Sequence, residues 1–95
     1  MRLTVEFLSL PNAAKIVGGK TTPFEFPGGT VAELLAALAR THGEPFRRAL
    51  LDADGALDLA IQVQINEDGI LRRDGLDRPL ADGDRVRFLM LVGGG

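Results

Sequence analysis

The chain closes on Gly93-Gly94-Gly95, which follow the apolar stretch Arg85–Val92 with no polar spacer between them. A packed strand running straight into bare backbone presents a terminal carboxylate on a rigid support. Residues 92–95 fully extended reach roughly 13–14 Å, far enough to enter a narrow active site. Glycines place no side chain in that passage and accept whatever backbone angles an enzyme imposes. The blander reading is a frayed end or an engineered scar, and the position of the glycines alone leaves it open. If the tail does chemistry, that chemistry belongs to its carboxyl group.

The other candidate groups carry less. Gly19-Lys20-Thr21 has the ending of a phosphate-binding loop, but Ala14 stands where its first glycine belongs and no helix start signal follows. A hairpin loop is expected there. Asp52-Ala-Asp54-Gly55 opens like a calcium loop yet lacks the third acidic ligand, the correctly spaced glycine and the closing Glu, so an Asx-type turn is expected instead. Asp82 and Asp84 flank Gly83 as turn residues do. His42 is the one histidine and cannot make a metal site alone, and the chain has no cysteine, tyrosine or tryptophan. Thiolate catalysis and cysteine-based metal sites are excluded. No metal and no bound cofactor are expected, and the chain reads as a carrier or substrate of other enzymes, not as an enzyme.

Ninety-five residues give one domain, 1–95, with a flexible tail over 92–95. The formal net charge is −2 with both signs mixed along the chain, which argues against nucleic acid as the main partner because phosphate binding needs a concentrated basic face. Arg47–Arg48 and Arg72–Arg73 are only pairs, expected on solvated surface. No apolar run approaches the roughly 18 residues of a membrane span. Met1–Leu8 alternates charged and apolar residues instead of forming a secretory block. A cytoplasmic location without a membrane partner is the expectation.

The elements that must hold the tail follow from periodicity. In Arg2–Leu8, Leu3, Val5 and Phe7 share one face and Arg2, Thr4 and Glu6 the other, the pattern of a half-buried strand. Pro11 and Gly18–Gly19 mark a loop with a short helical turn. Thr21–Phe26 is a second strand, closed by Pro27-Gly28-Gly29. Thr30-Val-Ala-Glu33 fits a capping box. Val31, Leu34, Leu35, Leu38 and His42 then follow helical spacing up to the cap position Gly43. His42 sits on the apolar edge of the last turn, suited to the carbonyl end of the helix. Glu44–Leu51 predicts a second short helix, Leu59–Ile65 a strand, Ile70–Arg72 a short returning strand and Arg85–Val92 the last. One main helix on one face of a mixed four- to five-stranded sheet buries both apolar faces. The first and last strands should be central neighbours, in the β-grasp architecture that ubiquitin shares. Alternation in the last strand puts Val86, Phe88 and Met90 against the helix. It puts Leu89 and Leu91 on the open sheet face near the tail, where an apolar pair suits a docking surface.

The ending Asp82-Gly83-Asp84-Arg-Val86-Arg-Phe88-Leu-Met-Leu-Val92-Gly-Gly94-Gly95 resembles that of the MoaD/ThiS family of ubiquitin-like sulfur carriers. Val63-Gln-Ile65-Asn66-Glu-Asp68-Gly69-Ile70 and Gly75-Leu76-Asp77-Arg-Pro79-Leu80 match the strand, turn and loop that precede it. The chain looks closest to the MoaD and CysO-like branches. It departs where the family usually has proline (Met90 or Leu91 here) and Thr or Ala (Gly93 here), so that the strand runs further toward the tail or the tail is looser.

The resemblance implies that a MoeB/ThiF-type enzyme uses ATP to adenylate the Gly95 carboxylate, with Gly94 needed for entry. It implies that Leu89, Leu91, Val92 and Gly93 meet the partner. Sulfur from a desulfurase or rhodanese-type donor would displace AMP and leave a C-terminal thiocarboxylate. A sulfur-accepting synthase, such as one with a MoaE-like large subunit to which this chain is the small subunit, would consume it. Molybdopterin assembly is the leading pathway, with cysteine or thiazole synthesis as alternatives. A protein modifier that joins Gly95 to target lysines is the competing class, and a plain interaction domain with accidental glycines is the third.

Overall fold

The structure, a computed structural model, describes residues 1–71 and 74–90. Arg72, Arg73 and residues 91–95 lie outside that set, so the expected strand residues Arg72, Leu91 and Val92 and the expected tail fall there as well. The elements are β1 (Arg2–Leu8), α1 (Pro11–Val17), β2 (Thr21–Glu25), α2 (Val31–His42), α3 (Glu44–Leu50), β3 (Ile61–Ile65), β4 (Ile70–Leu71) and β5 (Arg85–Met90). The five strands form one mixed sheet in the order β2-β1-β5-β3-β4. β1 and β5 run parallel at its centre, as expected of the two most apolar strands, and every other pairing is antiparallel. Pro23 sits in β2, an edge strand, where a residue without an N–H is tolerated. This is the β-grasp, ubiquitin-like fold.

The core lies between the sheet and the helices. Leu3, Val5 and Phe7 of β1, Val86 and Phe88 of β5, and Ile61, Val63 and Ile65 of β3 are all buried on one face. Leu34, Leu35 and Leu38 of α2 belong to the same cluster. Phe7 stacks on Phe88 with ring centroids 5.4 Å apart and meets Phe46 edge-on at 6.2 Å, which ties α3 to the two central strands. His42 is half-buried with its ring 6.0 Å from that of Phe46.

The capping box at the start of α2 is complete. The Glu33 amide donates to Thr30 Oγ1, and the Thr30 amide donates to Glu33 Oε1. The amides of Val31 and Ala32 donate to the carbonyls of Arg78 and Leu76, so the 76–80 stretch satisfies donors that a helix start leaves open. Gly29 is required just before the cap. Its φ is +136°, and a Cβ built there would lie 2.7 Å from Glu33 Oε1.

Four expectations need adjusting. The turn expected between Pro11 and Gly18 is a seven-residue helix, α1, with Pro at its start and Ala13 buried. Gly18, at φ 97°, closes it by donating its N–H to the Ala14 carbonyl. β3 begins at Ile61 and not at Leu59, because the Asp58 side chain accepts from the Ala60 amide and its carbonyl accepts from Ile61. That Asx turn leaves Leu59 74% exposed. α3 stops at Leu50, one residue short, where Leu51 turns to extended backbone and bridges to Leu57. β2 stops at Glu25, while Phe26 is still buried beyond it.

Candidate functional site

The site is the end of the sheet where β5 approaches the C-terminus. β5 lies between β1 and β3, so Leu89 has a neighbour on both sides and Met90 one on β3. Leu89 is paired with Leu8 of β1 and Gln62 of β3, and Met90 is paired with Ile61. Strand alternation is as expected: Val86 and Phe88 are buried, and Met90 packs against the core from its edge. Arg85, Arg87 and Leu89 project to the open face, opposite the helices.

Leu89 is half-buried there beside the half-buried Leu8. Of the expected site residues, Leu89 therefore sits on the open face at the tail end of the sheet. Leu91, Val92, Gly93, Gly94 and Gly95 lie outside the described residues. Leu8 escaped the sequence reading. Its signal was a break in pattern, because the outward series Arg2, Thr4, Glu6 ends in an apolar residue.

A polar cluster adjoins that pair. Arg87 Nε donates to Glu6 Oε1 at 2.9 Å, Thr21 Oγ1 donates to Glu6 Oε2 at 3.2 Å, and Arg85 Nε lies 3.4 Å from Glu6 Oε1. Arg87 Nη1 also donates to Gln64 Oε1 at 3.3 Å. The Glu6 side chain is only 15% exposed and that of Arg87 23%. The Arg87 hydrogen bond holds the Glu6 carboxyl below its ordinary value, against the opposing effect of its burial, with Thr21 and the charges of Arg85 and Arg87 adding to the lowering. This cluster was also missed, although Glu6 and Arg87 both occupy outward positions on strands expected to be adjacent. Arg85 keeps its side chain 51% exposed while its Nε lies beside Glu6.

Other candidate residues take structural roles. Asp52 accepts from the amides of Asp54 and Ala56 through Oδ1, the Asx turn expected there. Asp84 accepts from the Ala81 amide and from Asn66 Nδ2, and Asp82 accepts from the Arg2 amide, so both acids fix the turn before β5. Gly19 and Lys20 lead into β2 as a hairpin loop, with no helix after them. Among the described residues, no group of three or more His, Cys, Asp or Glu side chains could hold a metal ion. Arg47 and Arg48 are exposed.

A five-stranded mixed sheet with its helices packed on one face and its last strand among the central ones defines a ubiquitin-like β-grasp protein. The family model of the ThiS family matches residues 12–95, and the chain belongs to that family. No curated protein sequence matches it. Among solved structures, SAMP1 from Haloferax volcanii is similar over 100% of both chains, with a TM-score of 0.78 and 24% identity. A chain of the Amycolatopsis orientalis BexX/CysO complex is similar over 98% of this chain and 99% of its own, with a TM-score of 0.69 and 25% identity. A Pyrococcus furiosus protein described as molybdopterin converting factor subunit 1 covers 97% and 99%, with a TM-score of 0.68 and 21% identity. The fold is common to all three, while their names point to different uses of it. No described helix is long and apolar enough to cross a membrane.

Proposed function

We propose that this chain carries sulfur on the carboxyl group of Gly95. The observation that supports this most is the placement of the half-buried Leu8–Leu89 pair near the end of central strand β5, with Leu89 six residues before Gly95 in a ThiS-family chain. A partner that covers the pair is positioned to receive the tail. A MoeB/ThiF-type enzyme is that partner. A carboxylate oxygen of Gly95 attacks the α-phosphorus of ATP, pyrophosphate leaves, and the acyl-adenylate forms. The terminal sulfur of a persulfide on a desulfurase or rhodanese-type donor attacks the acyl carbon and AMP leaves with the bonding electrons; a second thiol then attacks the donor-side sulfur of the resulting acyl disulfide, forming a disulfide with the donor and releasing the thiocarboxylate.

The chain is the substrate in these steps, and the partner supplies the catalytic groups. A chain without cysteine suits the task, because the sulfur rides on the main-chain carboxyl group and no thiol competes for it. The thiocarboxylate then hands its sulfide to a synthase in the cytoplasm. Molybdopterin synthesis, with this chain as the small subunit beside a MoaE-like large one, is the reading we favour over cysteine or thiazole synthesis.

Likeness to SAMP1, a small archaeal modifier protein, favours one second reading, in which the same activated Gly95 is joined to lysines of other proteins. Recovery of the tagged chain from its own cells separates the two. A free chain ending in a thiocarboxylate supports the carrier, and a ladder of isopeptide-linked conjugates without any thiocarboxylate supports the modifier.

A further inference from the structure

On the sheet face opposite the helices, strand register lines residues up in transverse rows. Leu8 and Leu89 share the row nearest the end of β5. The next row runs from Glu6 through Arg87 and Gln64 to Ile70, which is 44% exposed. Arg85 stands one step further along, beside Thr4. Two guanidiniums therefore share one carboxylate. Glu6 Oε1 accepts from Arg87 Nε at 2.9 Å and lies 3.4 Å from Arg85 Nε, while Oε2 accepts from Thr21 Oγ1. Arg87 is committed to this network, since it also donates to Gln64 and its side chain is 23% exposed. Arg85 is the outer member, 51% exposed, and among the described residues Glu6 is the one acid it meets.

We propose that Arg85 reads a carboxylate side chain on the enzyme that docks over Leu8 and Leu89, so that the partner surface is acidic beside its apolar contact. The inference rests on the proposed docking of an activating enzyme and adds the partner's chemistry to it. Charge complementarity carries it. The chain as a whole has a net charge of −2, yet this patch sets two cations against one acid. Attraction of an acidic partner must therefore come from the patch and not from the molecule's overall field. Arginine suits the task. Its contact with Glu6 runs through Nε, and its two terminal nitrogens offer a second carboxylate a bidentate pair. Leu8, Leu89 and Ile70 on the same face argue for protein over nucleic acid, because a phosphate backbone gives apolar side chains no counterpart. Four strand steps separate Arg85 from Leu89, about 13 Å, and the acid and the apolar contact on the partner share that spacing.

The test is stopped-flow association of the full chain with its cognate activating enzyme at low and high salt. At low salt Arg85→Lys is expected to associate at the parent rate, Arg85→Gln about threefold slower and Arg85→Glu about tenfold slower. The differences should collapse in about 1 M salt, where screening shortens the reach of a charge to about 3 Å. A purely structural role for Arg85 would lower the unfolding midpoint without this salt dependence, so rates that change alike at both salt levels overturn the proposal. Leu89→Asp is measured alongside. If it weakens binding while Arg85→Glu has no effect, the carboxylate is overturned and the docking face stands. If Arg85→Glu slows association while Leu89→Asp has no effect, the proposal is also overturned, because the acid then docks apart from the apolar pair. A parent chain that does not bind the enzyme, or indifference to both changes, overturns the inference together with the reading it rests on.

Discussion

Arg87 Nε donates to Glu6 Oε1 across 2.9 Å, joining the two parallel central strands on the sheet face opposite the helices. The pair is 81 residues apart in sequence and half sheltered from solvent, so it links the first strand to the last at the site end of the fold.

The lowered pKa of Glu6 makes this link pH-dependent. Its folded-state value lies below the unfolded one, so its contribution is fully present above the unfolded value and is lost as pH falls through the folded value. Glu6→Gln should cost about 1.5–3 kcal/mol near neutral pH, the range for hydrogen bonds to charged groups. Urea unfolding of both proteins at pH 7 and under acid conditions checks this. The gap between parent and variant should shrink in acid, and a gap that stays constant contradicts the assignment.

Packing gives a sharper contrast. Leu38 is 2% exposed inside the cluster formed by α2 and the sheet, so Leu38→Ala should destabilise by about 2–5 kcal/mol. Leu59, 74% exposed beside the Asp58 turn, should tolerate the same change within about 0.5 kcal/mol. Equal losses in denaturant titrations would contradict the placement of these two residues.

Gly29 is tied to the capping box. Gly29→Ala forces a side chain into the positive-φ region and against the Glu33 carboxylate, at a cost on the order of 1–3 kcal/mol. In a Glu33→Ala background the steric part disappears, so the double variant should be more stable than the sum of the two single changes implies. Strict additivity in thermal or chemical unfolding argues against the contact.

The open face yields a binding prediction. Leu89→Asp should leave the thermal midpoint close to that of the parent, because Leu89 lies outside the core cluster. It should weaken association with the activating enzyme at least about tenfold, near 1.4 kcal/mol. Leu8→Asp should do the same through the neighbouring position. Isothermal titration checks both variants, and affinity equal to that of the parent removes the pair from the docking surface.

Where local rules and tertiary packing agreed, the sequence was readable. α2 declared itself through Thr30, Glu33, a run of leucines at helical spacing and Gly43, and β1 declared itself through strict alternation. α1 was read too short because Leu10, at its cap, makes no side-chain capping bond. The burial of Ala13 against the core, which periodicity over seven residues barely signals, holds that helix in place. Leu59 was misplaced because an apolar residue next to a strand looks like its first member until the Asp58 side chain turns the backbone. At the site, alternation placed Leu89 correctly. Leu8 shows in β1 only as an apolar break in its outward series, while the Glu6–Arg87 pair emerges only when β1 and β5 are set side by side in register.

The most direct test of the central claim is intact and C-terminal peptide mass spectrometry after incubation with ATP, the cognate activating enzyme and a sulfur donor. The account predicts that the C-terminal peptide gains the mass of one sulfur in exchange for one oxygen, located at Gly95. It also predicts that a chain extended by a single residue after Gly95 shows no gain unless it is first trimmed. A peptide that stays unmodified under conditions where the enzyme consumes ATP with another carrier contradicts the account. So does an extended chain that is modified without trimming.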